Sequence, residues 1–258
     1  MITGGSSGIG LGAAKRLTQD GARVVIAARD ASRLERARQE LEAECRQGAT
    51  ISVVVVDVRS DSSVEGCLES TIAALGGLDL LLVSAGEAHA GRFTETPPEV
   101  ARALMETNYF GAVRTARAAL PHLTASHGHV SFVSSMAGIA AIYGYTAYGA
   151  SKFALSGFAE SLRQELKPLG VSVSVLFPPD TDTPQLEAEN RTKPKETKAI
   201  TGTIRPVSAD FVAAAWLEGI GRGDAEVIPG FESKVTAFLV RRFPSLFRAY
   251  ADWRVRRA

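Results

Sequence analysis

Residues 1–10 read MITGGSSGIG, and the reading of this stretch decides the fold. Met1-Ile2-Thr3 is short for a strand, and it runs directly into Gly4-Gly5-Ser6-Ser7-Gly8-Ile9-Gly10. From Gly8 to Asp20 the apolar residues recur at helical spacing. A glycine-rich turn between a strand and a helix lets the backbone bend sharply and approach a pyrophosphate closely. The charge of that group meets the helix N-terminus. Gly4, Gly8 and Gly10 follow G-x3-G-x-G, with Ser6, Ser7 and Ile9 between them.

Working outward, the same alternation repeats. Apolar, β-branched runs at Arg23–Ala28, Thr50–Asp57, Leu78–Ser84, His129–Ser134, Val171–Phe177 and Glu226–Ile228 predict strands. Helical patterns fall between them at Ala31–Gln47, Ser60–Leu75, Thr96–Leu123, Tyr148–Leu169 and Ser208–Gly221. Near-continuous apolar strands such as TISVVVVD suit a sheet covered on both faces. Right-handed crossovers then predict an α/β fold, a doubly wound parallel sheet of the Rossmann type in one domain, 1–258. Two segments stand outside the alternation: a charged, proline-broken stretch at 180–206 and a helical, basic tail at 232–258.

Composition narrows the function classes. The 258 residues carry 29 lysines and arginines against 28 acids, a net charge of +1, so no global basic field recruits nucleic acid. Cys45 and Cys67 fall in predicted helices and match no metal spacing. They are expected as reduced thiols of a cytoplasmic chain. His89, His122, His127 and His129 fit no ligand motif, so no metal is expected and these are surface or loop histidines. No apolar run reaches the roughly 18 residues of a spanning helix, and no signal peptide is visible.

The strand ends name a nicotinamide dinucleotide. The tip of the second strand, where the adenosine ribose belongs, reads Ala27-Ala28-Arg29 with Asp30 one step beyond. A guanidinium at Arg29, with Arg33 one helical turn on, suits the 2′-phosphate of NADPH rather than the bare ribose of NADH. Arg29 as plain solvated surface is the other reading. Asp57-Val58 is placed at the adenine, and Ala85-Gly86, after Ser84, lets the cofactor pass close.

Tyr148 and Lys152 share one helical face at i, i+4. An ammonium there would favour the phenolate and bring a tyrosine of ordinary pKa ~10 toward working range. Such a pair donates a proton to a carbonyl oxygen as hydride arrives. Ser134 and Ser135 end the preceding strand, where a hydroxyl can bond the substrate oxygen.

With these motifs in this order, the chain resembles the short-chain dehydrogenase/reductase family over essentially its whole length. The resemblance implies a tetrad of Asn108, Ser135, Tyr148 and Lys152, with Ser134 as the alternative serine. Ser135 lies thirteen residues before Tyr148, the family's usual spacing. Tyr148 would donate the proton. Lys152 would lower its pKa and bind the nicotinamide ribose, Ser135 would hold the carbonyl, and Asn108 would support a water relay. Pro178, Thr181 and Thr183 join the cofactor contacts. Two departures are visible: the family's N-A-G reads Ser84-Ala85-Gly86, and its P-G reads Pro178-Pro179.

The second departure points further. Pro178–Pro184 (PPDTDTP) and Glu189–Thr197 (ENRTKPKET) resemble the 3-ketodihydrosphingosine reductases within that family. That implies NADPH-dependent reduction of a long-chain amino-ketone lipid, with 180–206 as substrate-capping segment, and a homo-dimer or tetramer. Asp180 and Asp182 either face the substrate ammonium or cap the next turn. From Lys234 onward the tail carries six arginines and one lysine against Asp252 alone, mixed with aromatic and aliphatic residues. It lies on an anionic membrane surface or docks on its own domain or a second subunit. The competing functions are reduction of a 3-ketoacyl thioester, steroid or small carbonyl, and a catalytically silent nucleotide-sensing or membrane-tethered scaffold.

Overall fold

The computed structural model describes residues 1–202 and 205–258. Its seven-stranded sheet has the order β3-β2-β1-β4-β5-β6-β9, every pair parallel. The strands are β1 (Ile2–Thr3), β2 (Arg23–Ala28), β3 (Thr50–Val55), β4 (Leu80–Val83), β5 (His129–Val133), β6 (Ser172–Leu176) and β9 (Glu226–Val227). Although β1 is two residues long, it occupies the centre, pairing Ile2 with Ile26 on one side and Leu82 on the other. The winding reverses between β1 and β4, which opens a crevice at their carboxyl ends.

Helices α1 (Gly8–Gln19), α2 (Ala31–Glu44), α3 (Asp61–Leu75) and α6 (Thr146–Leu166) fall where the periodicity places them. So does α9 (Ala209–Arg222). One core packs Leu81, Phe132, Leu155 and Val173 on one face of the sheet. The other packs Ile26, Leu34, Leu82 and Trp216 on the opposite face.

Two expectations need correction. The single helix read over Thr96–Leu123 is α4 (Pro98–Met105), a π-helical turn at Glu106–Phe110, and α5 (Gly111–Ser126). Widened turns of this kind gather at functional positions, and this one carries Asn108. The capping segment at 180–206, of which 203 and 204 lie outside the described residues, has a short parallel pair β7 (Thr181–Asp182) and β8 (Val207–Ser208) around helices α7 (Pro184–Thr192) and α8 (Lys195–Thr201). Pro184 occupies the first position of α7 and Pro194 precedes α8, sites where the missing N–H costs nothing. His129 is no loop histidine: it opens β5 and bonds the Ser174 hydroxyl at 2.8 Å.

The tail forms α10 (Phe231–Arg242) and α11 (Pro244–Arg257). It packs back on the molecule: Arg254 donates to the Ala199 carbonyl of α8, and Arg241 forks onto Glu226 of β9 at 2.6 and 2.8 Å.

Candidate active site

One cavity of about 1090 Å³ runs along the carboxyl edge of the sheet. Its wall includes the glycine turn, the β2 tip, the Ser135–Tyr148–Lys152 group, the capping segment and the inner face of the tail. Most residues assigned from the sequence line it; Gly10, Asp57, Asn108 and Asp182 do not.

The glycine turn is shaped by necessity. Gly4 holds φ +69°, and a Cβ there would come within 2.7 Å of the Ser84 and Ala85 backbone. Gly10 lies against the Gly4 carbonyl in the same way. Gly8, at φ +55°, faces the Thr183 methyl. Ser7 precedes α1 with no side-chain capping bond among the described residues, and Ser6, Ser7, Gly8 and Ile9 line the cleft at the start of that helix. Thr107 Oγ1 is buried without a hydrogen-bond partner among the described residues and also lines the cavity. A tight glycine turn at the start of α1 and an orphaned buried hydroxyl both fit a bound dinucleotide.

At the β2 tip, Asp30 is spent on capping α2, accepting from the Arg33 N–H at 3.0 Å and the Ser32 hydroxyl at 2.8 Å. Arg29 crosses the cleft to ion-pair with Glu87. Arg33 is exposed, lines the cavity, and ion-pairs with no carboxylate among the described residues. Asp57, expected at the adenine, pairs locally. Its carboxylate takes the Arg59 guanidinium at 2.6 and 2.9 Å, which holds its pKa down to about 2. Val56 and Val58 line the cavity there, and Asp57 does not.

Asn108 ties the loop after β4 in place. Its Oδ1 accepts from the Glu87 N–H at 2.8 Å, and its Nδ2 donates to the Glu87 carbonyl and the Ser151 hydroxyl, both at 2.9 Å. Beside it, Lys152 Nζ donates to the Val133 carbonyl at 2.9 Å and lies 5.8 Å from the Tyr148 ring centre. Burial lowers the Lys152 pKa to about 8. Burial raises the Tyr148 pKa above its usual value, as do the nearby carboxylates, while a hydrogen bond with Ser135 opposes them. The expected depression of Tyr148 by Lys152 is thus absent from this geometry, because desolvation of the phenolate dominates. Of the two serines, Ser135 is the one at the tyrosine. Ser134 Oγ turns into α6, bonding the Lys152 carbonyl at 3.2 Å and Ser156 at 2.9 Å.

The capping segment divides its acids. Asp182 is exposed and stands outside the cavity wall. Asp180 lines the wall, paired at 3.3 Å with Lys193, whose side chain is 2% exposed. Neither caps α7; Thr183 does, accepting from the Leu186 N–H at 3.3 Å. Thr181 donates to the Pro179 carbonyl at 2.8 Å, and the Pro178 carbonyl accepts from Met136 at 3.1 Å. Among the cavity residues that the sequence reading did not single out as site groups are Thr107, Tyr145 and Glu189. Glu189 is 8% exposed, and its Oε2 accepts from the Tyr145 hydroxyl at 2.7 Å. Only the i, i+3 spacing of Tyr145 from Tyr148 signalled any of this.

A parallel sheet with this glycine turn and a Ser–Tyr–Lys group on one cavity defines a nucleotide-dependent oxidoreductase class. The short chain dehydrogenase family model matches residues 1–194, and the chain belongs to that family. It is 41% identical over 206 residues to a 3-dehydrosphinganine reductase of Danio rerio, covering 79% of this chain and 62% of that one. To a 3-ketodihydrosphingosine reductase of Bos taurus it is 40% identical over 216 residues, covering 83% and 65%. It therefore spans under two thirds of these relatives' lengths. Among solved structures it resembles an alcohol dehydrogenase from Thermococcus sibiricus complexed with 5-hydroxy-NADP, with TM-score 0.75 and 26% identity over 88% of this chain and 94% of that chain.

Proposed function

We propose that this chain reduces the 3-keto group of 3-ketodihydrosphingosine to sphinganine with NADPH. The observation that carries the substrate is the continuity of the cavity. From Tyr148 it extends to Leu239, Val240, Phe243, Leu246 and Phe247, an apolar wall built by the tail and suited to a long alkyl chain. The family membership and the named relatives support the same substrate.

Gly4, Ser6, Ser7, Gly8, Ile9 and Gly10 would hold the pyrophosphate of NADPH, Arg29 and Arg33 the 2′-phosphate, and Lys152 the nicotinamide ribose. When bound, the reduced nicotinamide supplies hydride to the carbonyl carbon. Ser135 donates to the carbonyl oxygen and holds it at Tyr148. Tyr148, kept protonated by burial, delivers its proton to that oxygen as negative charge develops there. Lys152 steadies the resulting phenolate, and Asn108 keeps the loop after β4 at the distance the reaction needs.

Following NADPH oxidation at 340 nm with 3-ketodihydrosphingosine, beside a 3-ketoacyl thioester, tests this reading. Preferred turnover of the thioester, or of neither, overturns it.

Phe231, Phe238, Leu246 and Trp253 are 42–80% exposed on the two tail helices, with Arg242, Arg248 and Arg256 nearby in sequence. We propose that this face rests on an anionic lipid surface, from which a lipid reaches the cavity. Among the described residues, no helix is long and apolar enough to cross a membrane. Deleting the tail would remove the cavity wall, so the test is the double variant Phe231→Ser, Phe238→Ser, at two exposed positions outside that wall. Vesicle co-sedimentation unchanged from wild type removes the idea. A homo-oligomer through the faces bearing Phe110 and Phe153, each 44% exposed, completes the proposal. A monomeric mass by light scattering refutes it.

A further inference from the structure

Three carboxylates belong to the capping segment's approach to the site, and their circumstances differ. Asp182 is outside the cavity. Asp180 has its cation in place, the buried Lys193 ammonium. Glu189 is buried in the cavity wall, receives a neutral phenol from Tyr145, and forms no ion pair with a lysine or arginine among the described residues. The Lys193 ammonium reaches it only through space. Gln185 also bonds it, so its direct partners are neutral donors; burying a carboxylate against neutral donors is costly, and a cation delivered by a ligand relieves the cost.

Its place relative to the chemistry is equally specific. Tyr145 bridges Glu189 to the proton donor, since the Tyr145 and Tyr148 rings lie 5.4 Å apart between centres. The Glu189 charge acts on both Tyr148 and Lys152. A ligand cation paired with Glu189 therefore sits close to the carbonyl being reduced, and not at the far end of the chain.

We propose that Glu189 is the anionic subsite for a substrate ammonium borne on the carbon adjacent to the reacting carbonyl, so that the cavity selects α-amino ketones over neutral ketones. This rests on the ketone-reductase reading above and replaces the two aspartates as the ammonium partner. Tyr145 positions the carboxylate. Lys193, neutralised by Asp180, is held away from competing for it.

The experiment compares wild type with Glu189→Gln, which keeps the shape and still accepts from Tyr145. Substrates are 3-ketodihydrosphingosine and a long-chain 1-hydroxy-3-ketone lacking the amine. Loss of one member of a desolvated charge pair should lower the ratio of kcat/KM for the amino ketone to that for the neutral ketone by roughly 30-fold or more, mostly through KM, while the effect of the lost charge on Tyr148 and Lys152 falls on both substrates alike. Glu189→Asp should recover part of the preference. Equal losses on both substrates, or a wild type that reduces both equally, overturn the subsite while leaving the reductase reading intact. A wild type that reduces neither overturns the reductase reading. In that case the subsite is judged by thermal unfolding with NADP⁺ and either sphinganine or the corresponding long-chain diol. Stronger protection by the amine, lost in Glu189→Gln, supports it, and equal protection refutes it.

Discussion

Lys152 carries two opposite pH signatures that arise from one cause. Burial places its folded pKa at about 8, against 10.5 when exposed. The proposed reduction needs it charged, so kcat/KM should fall as pH rises through about 8, while Tyr148 stays protonated over the same range. Stability moves the other way. Between about 8 and 10.5 the unfolded chain holds the extra proton, so this group's contribution to stability rises with pH in that window. Urea unfolding of wild type and Lys152→Met at pH 8 and pH 10 should therefore show the wild type gaining relative to the variant. At the β2 tip, Arg29→Asp should raise the KM for NADPH about 10- to 100-fold and leave NADH within a few-fold. Steady-state kinetics with both cofactors checks it. An unchanged preference would assign Arg29 to its Glu87 ion pair alone.

Among the elements, the capping helices are tied directly to the N-terminus of the catalytic helix. Thr197 of α8 donates to the Tyr143 carbonyl at 2.8 Å, and Glu196 takes Arg92 at 3.0 Å. Gly144, at φ +81°, leaves no room for a side chain beside the Thr197 hydroxyl. Gly144→Ala combines a left-handed backbone with that clash and should cost roughly 1–3 kcal/mol. It should raise the KM for the ketone more than it lowers kcat, because the capping segment shifts while Ser135, Tyr148 and Lys152 stay on their own elements. Kinetics beside a melting curve separates the two effects. This element shows where the sequence is legible and where it is not. Y-x-x-x-K on α6 is read directly, since spacing on one helix sets its geometry. The π turn at Asn108 is invisible to periodicity, because widening one turn leaves the apolar pattern of α4 and α5 almost unchanged.

Across the whole molecule, one chain of buried polar bonds spans the sheet into a flanking helix. Trp216 Nε1 of α9 donates to the Ser131 hydroxyl, Ser174 donates to Ser131, and His129 meets Ser174, all at 2.7–2.8 Å. Burial lowers the His129 pKa to about 4 from 6.5, so the neutral ring is the folded form. Its contribution is complete above pH 6.5 and is lost as pH falls toward 4, by at most about 1.4 kcal/mol per pH unit. His129→Gln should flatten that acid limb, visible as a smaller difference in unfolding free energy between pH 7 and pH 5 than wild type shows. The alternation of buried strands with amphipathic helices, the glycine turn and the Tyr148–Lys152 spacing were determined by sequence alone. Each depends on contacts within a few residues or on the period of one element. Only the tertiary structure decided that Ser135 and not Ser134 meets Tyr148. It also decided that Glu189 and not Asp182 reaches the site, and that the tail walls the cavity as well as exposing an apolar face. Those choices depend on which way a side chain turns once elements far apart in the chain have packed, and no local pattern records that direction.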